Sequence, residues 1–182
     1  MKNPYAGPMA GASLAAILAG CAASSVATDP VVPDNLKVPA GQTLSLVSRA
    51  TGVQIYECSV AKTDPAKFEW AFKAPEADLF DLSGRKIGKH YAGPTWESDD
   101  GSKVAGEVKA RDDGPDANAI PWLLLSAKST SGAGGVFGRT KSVQRLHTAG
   151  GKAPAGACDR AQLGRQARVA YRATYYFYID RP

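Results

Sequence analysis

The chain has 182 residues, with 22 lysine and arginine against 17 aspartate and glutamate, a formal net charge of +5 and 44% hydrophobic residues. That is one domain with a real core, and no internal repeat marks a solenoid or propeller. The positive charge is uneven: residues 139–182 hold nine Lys/Arg against Asp159 and Asp180, whereas residues 21–138 hold 12 basic and 15 acidic residues. No recognition motif accompanies it, which excludes nucleic acid as the expected partner, and no C-x-x-C or Cys/His spacing offers a zinc site.

Lys2 precedes an apolar run of small residues from Met9 to Ala19, interrupted by Gly11 and Ser13, that stops at Cys21. The layout reads as a secretory signal peptide, and it is shorter than the roughly 18 to 20 residues that span a bilayer. Leu18-Ala19-Gly20-Cys21 resembles the lipobox of bacterial lipoproteins, in which the cysteine is diacylated at sulfur and the preceding peptide bond is cut. The competing reading is an ordinary signal peptide cut at Ala22-Ala23-Ser24. The resemblance implies lipidation at Cys21 and the membrane as the first partner. Ala22 is not the aspartate that favours inner-membrane retention, so it also implies the outer membrane, facing the periplasm or the cell surface. Residues 1–20 are then the signal peptide, residues 21–37 a lipidated N-terminus and flexible tether of small, polar and proline residues, and residues 38–182 a single domain.

With Cys21 carrying lipid, Cys58 and Cys158 remain as an even pair. In an oxidising compartment a disulfide is the default for such a pair; two unrelated free thiols are the alternative.

From Gln42 onward the dominant period is two, broken by glycine-bearing turns, which predicts an all-β fold: a single antiparallel β-sandwich or barrel of about ten short strands. Expected strands are Thr43 to Arg49, Val53 to Cys58, Phe68 to Lys73, Lys86 to Tyr91, Thr95 to Ser98, Val104 to Arg111, Trp122 to Ala127, Ser142 to Thr148 and Tyr171 to Asp180. Trp122 to Ala127 is apolar on both faces at its start, so it is read as covered on both sides, with Pro121 at its entrance. In the last strand Tyr171, Ala173, Tyr175, Phe177 and Ile179 share one face. Asp100-Gly101 and Ser83-Gly84 are hairpin signals, and Asp159 to Gln166 is the one candidate helix. The run Ser131 to Gly138 (SGAGGVFG) is read as a β loop and not a phosphate loop: Phe137 replaces a required glycine and no helix follows.

Several short segments together resemble an uncharacterised family called domain of unknown function 3455. They are Val53-Gln54-Ile55-Tyr56-Glu57-Cys58, Ala74-Pro75-Glu76-Ala77, Gly93-Pro94-Thr95-Trp96-Glu97, Ala119-Ile120-Pro121-Trp122-Leu123-Leu124-Leu125, Gln144-Arg145, Thr148-Ala149-Gly150-Gly151 and Tyr175-Tyr176-Phe177-Tyr178. The resemblance runs from about Val38 to Asp180 and implies no activity that can be transferred to particular residues.

The polar candidates are His90, Trp96, Glu97, Trp122, Arg145 and His147. A hairpin between neighbouring strands would bring His90 near Glu97, and His147, two positions after Arg145, would share its face. Convergence would give an acid–base pair of His90 and Glu97, or with His147 a 2-His-1-carboxylate metal site. Two histidines without H-x-H spacing favour the plainer reading of satisfied polar groups, so no catalytic residue, metal or cofactor is assigned. Asp112 to Asn118 is read as a solvated acidic turn and not a calcium loop. Trp96, Glu97, Arg145, Arg172, Tyr176 and Tyr178 are the candidates for ligand contact.

The sequence alone thus leads to a lipid-anchored cell-envelope protein that binds an envelope glycan, lipid or protein, anionic partners being favoured by the basic C-terminal third. An extracytoplasmic, metal-assisted enzyme and a structural envelope protein are the alternatives.

Overall fold

Eight antiparallel strands, each paired with the next in sequence, close on themselves through a pairing of the first with the last. The computed structural model describes Met1 and residues 28–182. The expectations placed on residues 2–27, the signal peptide and the lipidation of Cys21 included, lie outside the described residues. The strands are β1 (Gln42–Ala61), β2 (Asp64–Phe80), β3 (Lys86–Tyr91), β4 (Thr95–Ser98), β5 (Lys103–Asp112), β6 (Trp122–Ser131), β7 (Ser142–Gly150) and β8 (Gln166–Asp180). The all-β fold is therefore a closed barrel, although β2 pairs with β3 only over Ala77–Phe80 and β5 with β4 only over Lys103–Ala105, leaving the rest of those two edges unpaired.

There are eight strands where about ten short ones were expected, and one expected break is not a turn. Thr43 to Arg49 and Val53 to Cys58 form one 20-residue strand. Gly52 stays in the ladder between Ala77 and Tyr171, and a Cβ there would lie 2.1 Å from the Glu76 carbonyl oxygen. This glycine lets two backbones approach; it does not reverse the chain. Phe68 to Lys73 lengthens at both ends into the 17-residue β2, which carries Pro75 beside a register shift. The candidate helix reduces to one 3-10 turn, Arg160–Gln162, capped reciprocally by Asp159 and Gln162.

Alternation along each strand sorts the interior. Phe177, Tyr175, Ala173 and Tyr171 of β8 face in, opposite Leu46, Ser48, Ala50 and Gly52 of β1, and the interior cluster includes Leu79, Trp96, Val104, Leu125 and Val143. One end of the barrel is plugged. The Ser131 to Gly138 loop folds over it and inserts Phe137, fully buried, with its ring centroid 4.7 Å from that of Phe177. Two backbone N–H groups pin the loop: Val136 donates to Asp100 Oδ2 at 2.9 Å and Phe137 to Ser102 Oγ at 3.1 Å.

A strap covers part of the outer wall. Asp34–Leu36 form a 3-10 turn against β5 and β6, which explains why β6 reads as apolar on both faces. Leu36 is fully buried although it falls within the stretch expected as tether, and its carbonyl accepts from Gln144 Nε2 at 2.7 Å. Gln144 Oε1 in turn accepts from the Tyr178 hydroxyl at 3.0 Å.

Cys58 and Cys158 form a disulfide across 100 residues of sequence, fixing the β7–β8 connection to the far end of β1. A loop of that length is worth roughly 4 to 5 kcal/mol in the chain-entropy account.

Candidate functional site

At the end opposite the plug the wall is uneven. β3 and β4 have only six and four residues, while β1 and β2 run on as a long hairpin. A pocket of about 170 Å³ opens at the short β3–β4 turn, where Gly93 and Pro94 form its rim. Phe72, Pro75, Val108, Leu123 and Leu125 supply apolar walls, and His90, Trp96, Arg145, Tyr175 and Lys73 supply the polar atoms. An apolar cavity of about 150 Å³ accommodates a benzene ring, so this volume suits one ring-sized molecule.

His90 and Trp96 enter from adjacent strands as register partners, and Trp96 is 1% exposed. The room for its indole comes from Gly106 on β5, where a Cβ would lie 3.0 Å from Trp96 Cζ3. Trp96 Nε1 is buried with no hydrogen-bond partner, and so is the hydroxyl of Tyr175, whose ring centroid is 5.3 Å from that of Trp96. Both atoms lie within the aromatic packing behind the pocket wall, with no accessible surface of their own.

His90 Nδ1 lies 2.8 Å from the Thr95 carbonyl oxygen, which can only accept, so Nδ1 carries the proton and Nε2 is the acceptor. Burial lowers its pKa to about 3; the bond to Thr95 opposes this and the Arg145 charge reinforces it, leaving the ring neutral near pH 7. Burial pushes the Tyr175 and Tyr171 hydroxyls up, with Arg145 acting in the opposite sense on both.

Arg145 stands opposite Tyr175 on one side and Leu123 on the other. Its Nε and Nη2 donate to the Pro121 carbonyl oxygen at 3.1 and 2.8 Å, which fixes the plane of the guanidinium. Among the described residues no carboxylate lies within ion-pair distance of it.

The sequence candidates separate accordingly. His90, Trp96 and Arg145 meet in the pocket, whereas Glu97, Arg172, His147, Tyr176 and Tyr178 do not. Glu97 follows the inward Trp96 and so faces out, where it accepts from the Tyr91 hydroxyl at 2.7 Å and lies 3.3 Å from Lys103 Nζ. The Tyr91 hydrogen bond, followed by Lys103, holds its carboxyl below the usual range. His147 does not share the face of Arg145. A register shift between Leu146 and Ala149, with φ of 49° at His147, turns that side chain outward against Trp122 and Tyr176, at centroid distances of 5.4 and 6.2 Å. Arg172 is exposed on the outer wall, Tyr176 is half-buried there, and Tyr178 is buried beside Gln144.

The convergence of His90, Glu97 and His147 imagined for a metal site or an acid–base pair is therefore absent, and among the described residues no cluster of three His, Cys, Asp or Glu could hold a metal ion. The Asp112 to Asn118 loop spends its carboxylates locally: Asp112 accepts from the Gly114 N–H, and Asp116 from the Asn118 N–H. Tyr175, Phe72, Leu123 and Leu125 were not singled out as site residues. Their alternation marked them as inward, but only the barrel's closure shows which inward residues border the opening.

Fold and site together define a closed up-and-down β-barrel, plugged at one end, with a small, mostly apolar pocket at the other. The chain belongs to the family described as protein of unknown function (DUF3455), which it matches over residues 39–179. No curated protein and no solved structure matches it.

Proposed function

We propose that this chain is the small-ligand-binding barrel of a lipid-anchored envelope protein. The observation that carries the binding role is the pocket itself: ring-sized, walled by apolar side chains, and bordered by the polar side chains of Arg145, Lys73 and His90. A ligand there would be oriented by a few polar groups and held by apolar contact, the usual division of labour in such sites. Eight-stranded barrels have interiors of the size that holds one small ligand. The anchoring rests on Leu18-Ala19-Gly20-Cys21, and the Cys58–Cys158 disulfide fits an oxidising compartment.

The test is a thermal-shift screen of small ring-bearing molecules against the full-length chain and its Val108→Trp variant. Val108 is half-exposed at the pocket wall, so an indole there covers the opening without entering the core. Molecules that raise Tm should do so in the parent and lose the effect in the variant. Hits that survive the variant unchanged would place binding elsewhere, and a screen without hits would remove the role.

A further inference from the structure

The pocket is rich in donors and cations and poor in acceptors. None of its lining residues is aspartate or glutamate, while Arg145 and Lys73 both border it. Lys73 is already paired with Glu57 on the neighbouring strand, so the charge without a counterpart belongs to Arg145. That guanidinium uses two N–H groups on the Pro121 carbonyl, leaving other N–H groups of its five-donor fork uncommitted. An unpaired guanidinium held rigidly beside apolar walls is costly unless an anion completes it.

We propose that the pocket takes a ring-sized carboxylate, its carboxylate received by the uncommitted N–H groups of Arg145 and its apolar body lying against Phe72, Leu123 and Leu125. This rests on the ligand-binding reading above. The charge points to an anion, since a cationic ligand would meet Arg145 with no carboxylate to offset it. The apolar walls point to a single carboxylate on a hydrophobic body, because a phosphate's greater charge calls for more donors than the pocket offers. Arginine suits this role, since its planar fork matches a carboxylate in two parallel hydrogen bonds. His90, neutral and with Nε2 as an acceptor, adds no competing positive charge.

The experiment follows side-chain N–H signals of the full-length chain by nitrogen-edited NMR while adding phenylacetate, its neutral isostere phenylacetamide, or 2-phenylethylamine. The indole N–H of Trp96 and the Nε–H of Arg145 report on the pocket. The indoles of Trp70 and Trp122, which do not line it, are internal controls. Phenylacetate should shift both reporters saturably and bind at least tenfold more tightly than phenylacetamide, with the amine weaker than either. In Arg145→Gln, whose amide can still donate to the Pro121 carbonyl, the preference of acid over amide should vanish while ring binding persists. If that variant does not fold, the charge series on the parent decides alone.

Phenylacetamide or the amine binding as tightly as phenylacetate would overturn the carboxylate assignment and leave the pocket's binding role standing. Silence of both reporters toward all three probes at millimolar concentration would overturn the two together.

Discussion

His90 and Trp96, opposite each other on β3 and β4, lie face to face with 4.5 Å between ring centroids and 11° between planes. The edge of Tyr175 closes on both rings, 5.2 Å from His90 and 5.3 Å from Trp96 by centroid distance. The pocket floor is therefore three aromatic rings whose positions depend on one another, and several outcomes depend on that stack.

The first concerns acidity. His90 titrates at about 6.5 when unfolded and at about 3 when buried, so the unfolded chain takes up its proton first as pH falls. Its stabilising contribution is complete above pH 6.5 and is lost progressively toward pH 3. At about 1.4 kcal/mol per unit, the loss between pH 6.5 and 4.5 should be roughly 2 to 3 kcal/mol. Asp81 and Asp100, held at about 2, lose their contributions only below pH 3.8. Urea midpoints measured across this range should fall in the parent and stay flat in His90→Gln; an equal slope in both would assign the loss to other groups.

Gly106→Ala should crowd the same stack. The added methyl meets Trp96 Cζ3 at 3.0 Å and Leu125 Cδ2 at 3.1 Å, inside a wall with little slack. Overpacking of this kind costs about 1 to 3 kcal/mol. A lower urea midpoint at unchanged m is the expected result, together with weaker binding of any pocket ligand.

At the plugged end, Phe137→Ala removes a fully buried ring from its place against Phe177. A loss of about 3 to 5 kcal/mol is expected. Asp100→Asn keeps the ring but weakens the acceptor for the Val136 N–H, so hydrogen exchange at Val136 should quicken with a smaller effect on global unfolding. A Phe137→Ala protein as stable as its parent would show that the loop does not plug the barrel in solution.

Replacing Cys58 and Cys158 by serine reopens the 100-residue loop and should cost up to about 5 kcal/mol, read as a shift in urea midpoint that reductant reproduces in the parent. Cys21→Ser tests the anchor separately: the variant should keep this disulfide and leave the membrane fraction. Retention in membranes would remove the basis of the proposed envelope location.

The β fold was legible because alternation is a local property. Tyr171, Ala173, Tyr175 and Phe177 could be placed on one face without knowing what covered them, and the barrel buries that face. Strand number was less so, since Gly52 serves equally well as a turn residue or as a gap for a close backbone, and only its partner strand decides. The site was half visible. His90, Trp96 and Arg145, three of the polar candidates, do meet in the pocket. Glu97 and His147 were drawn in by proximity in sequence, where a one-residue step or a register shift reverses the side of the wall. The strap was hidden for another reason: Leu36 among prolines and polar residues has no periodicity to announce burial.

That strap also gives the molecule a direction. Asp29 lies beside Tyr178, in a groove it shares with Gly41 and Arg181 at the plugged end. Between residues 21 and 29 there is at most about 25 to 30 Å of extended chain. Under the proposed lipidation of Cys21, the chain from the anchor therefore joins the barrel at its plugged end, and the pocket opens at the opposite one.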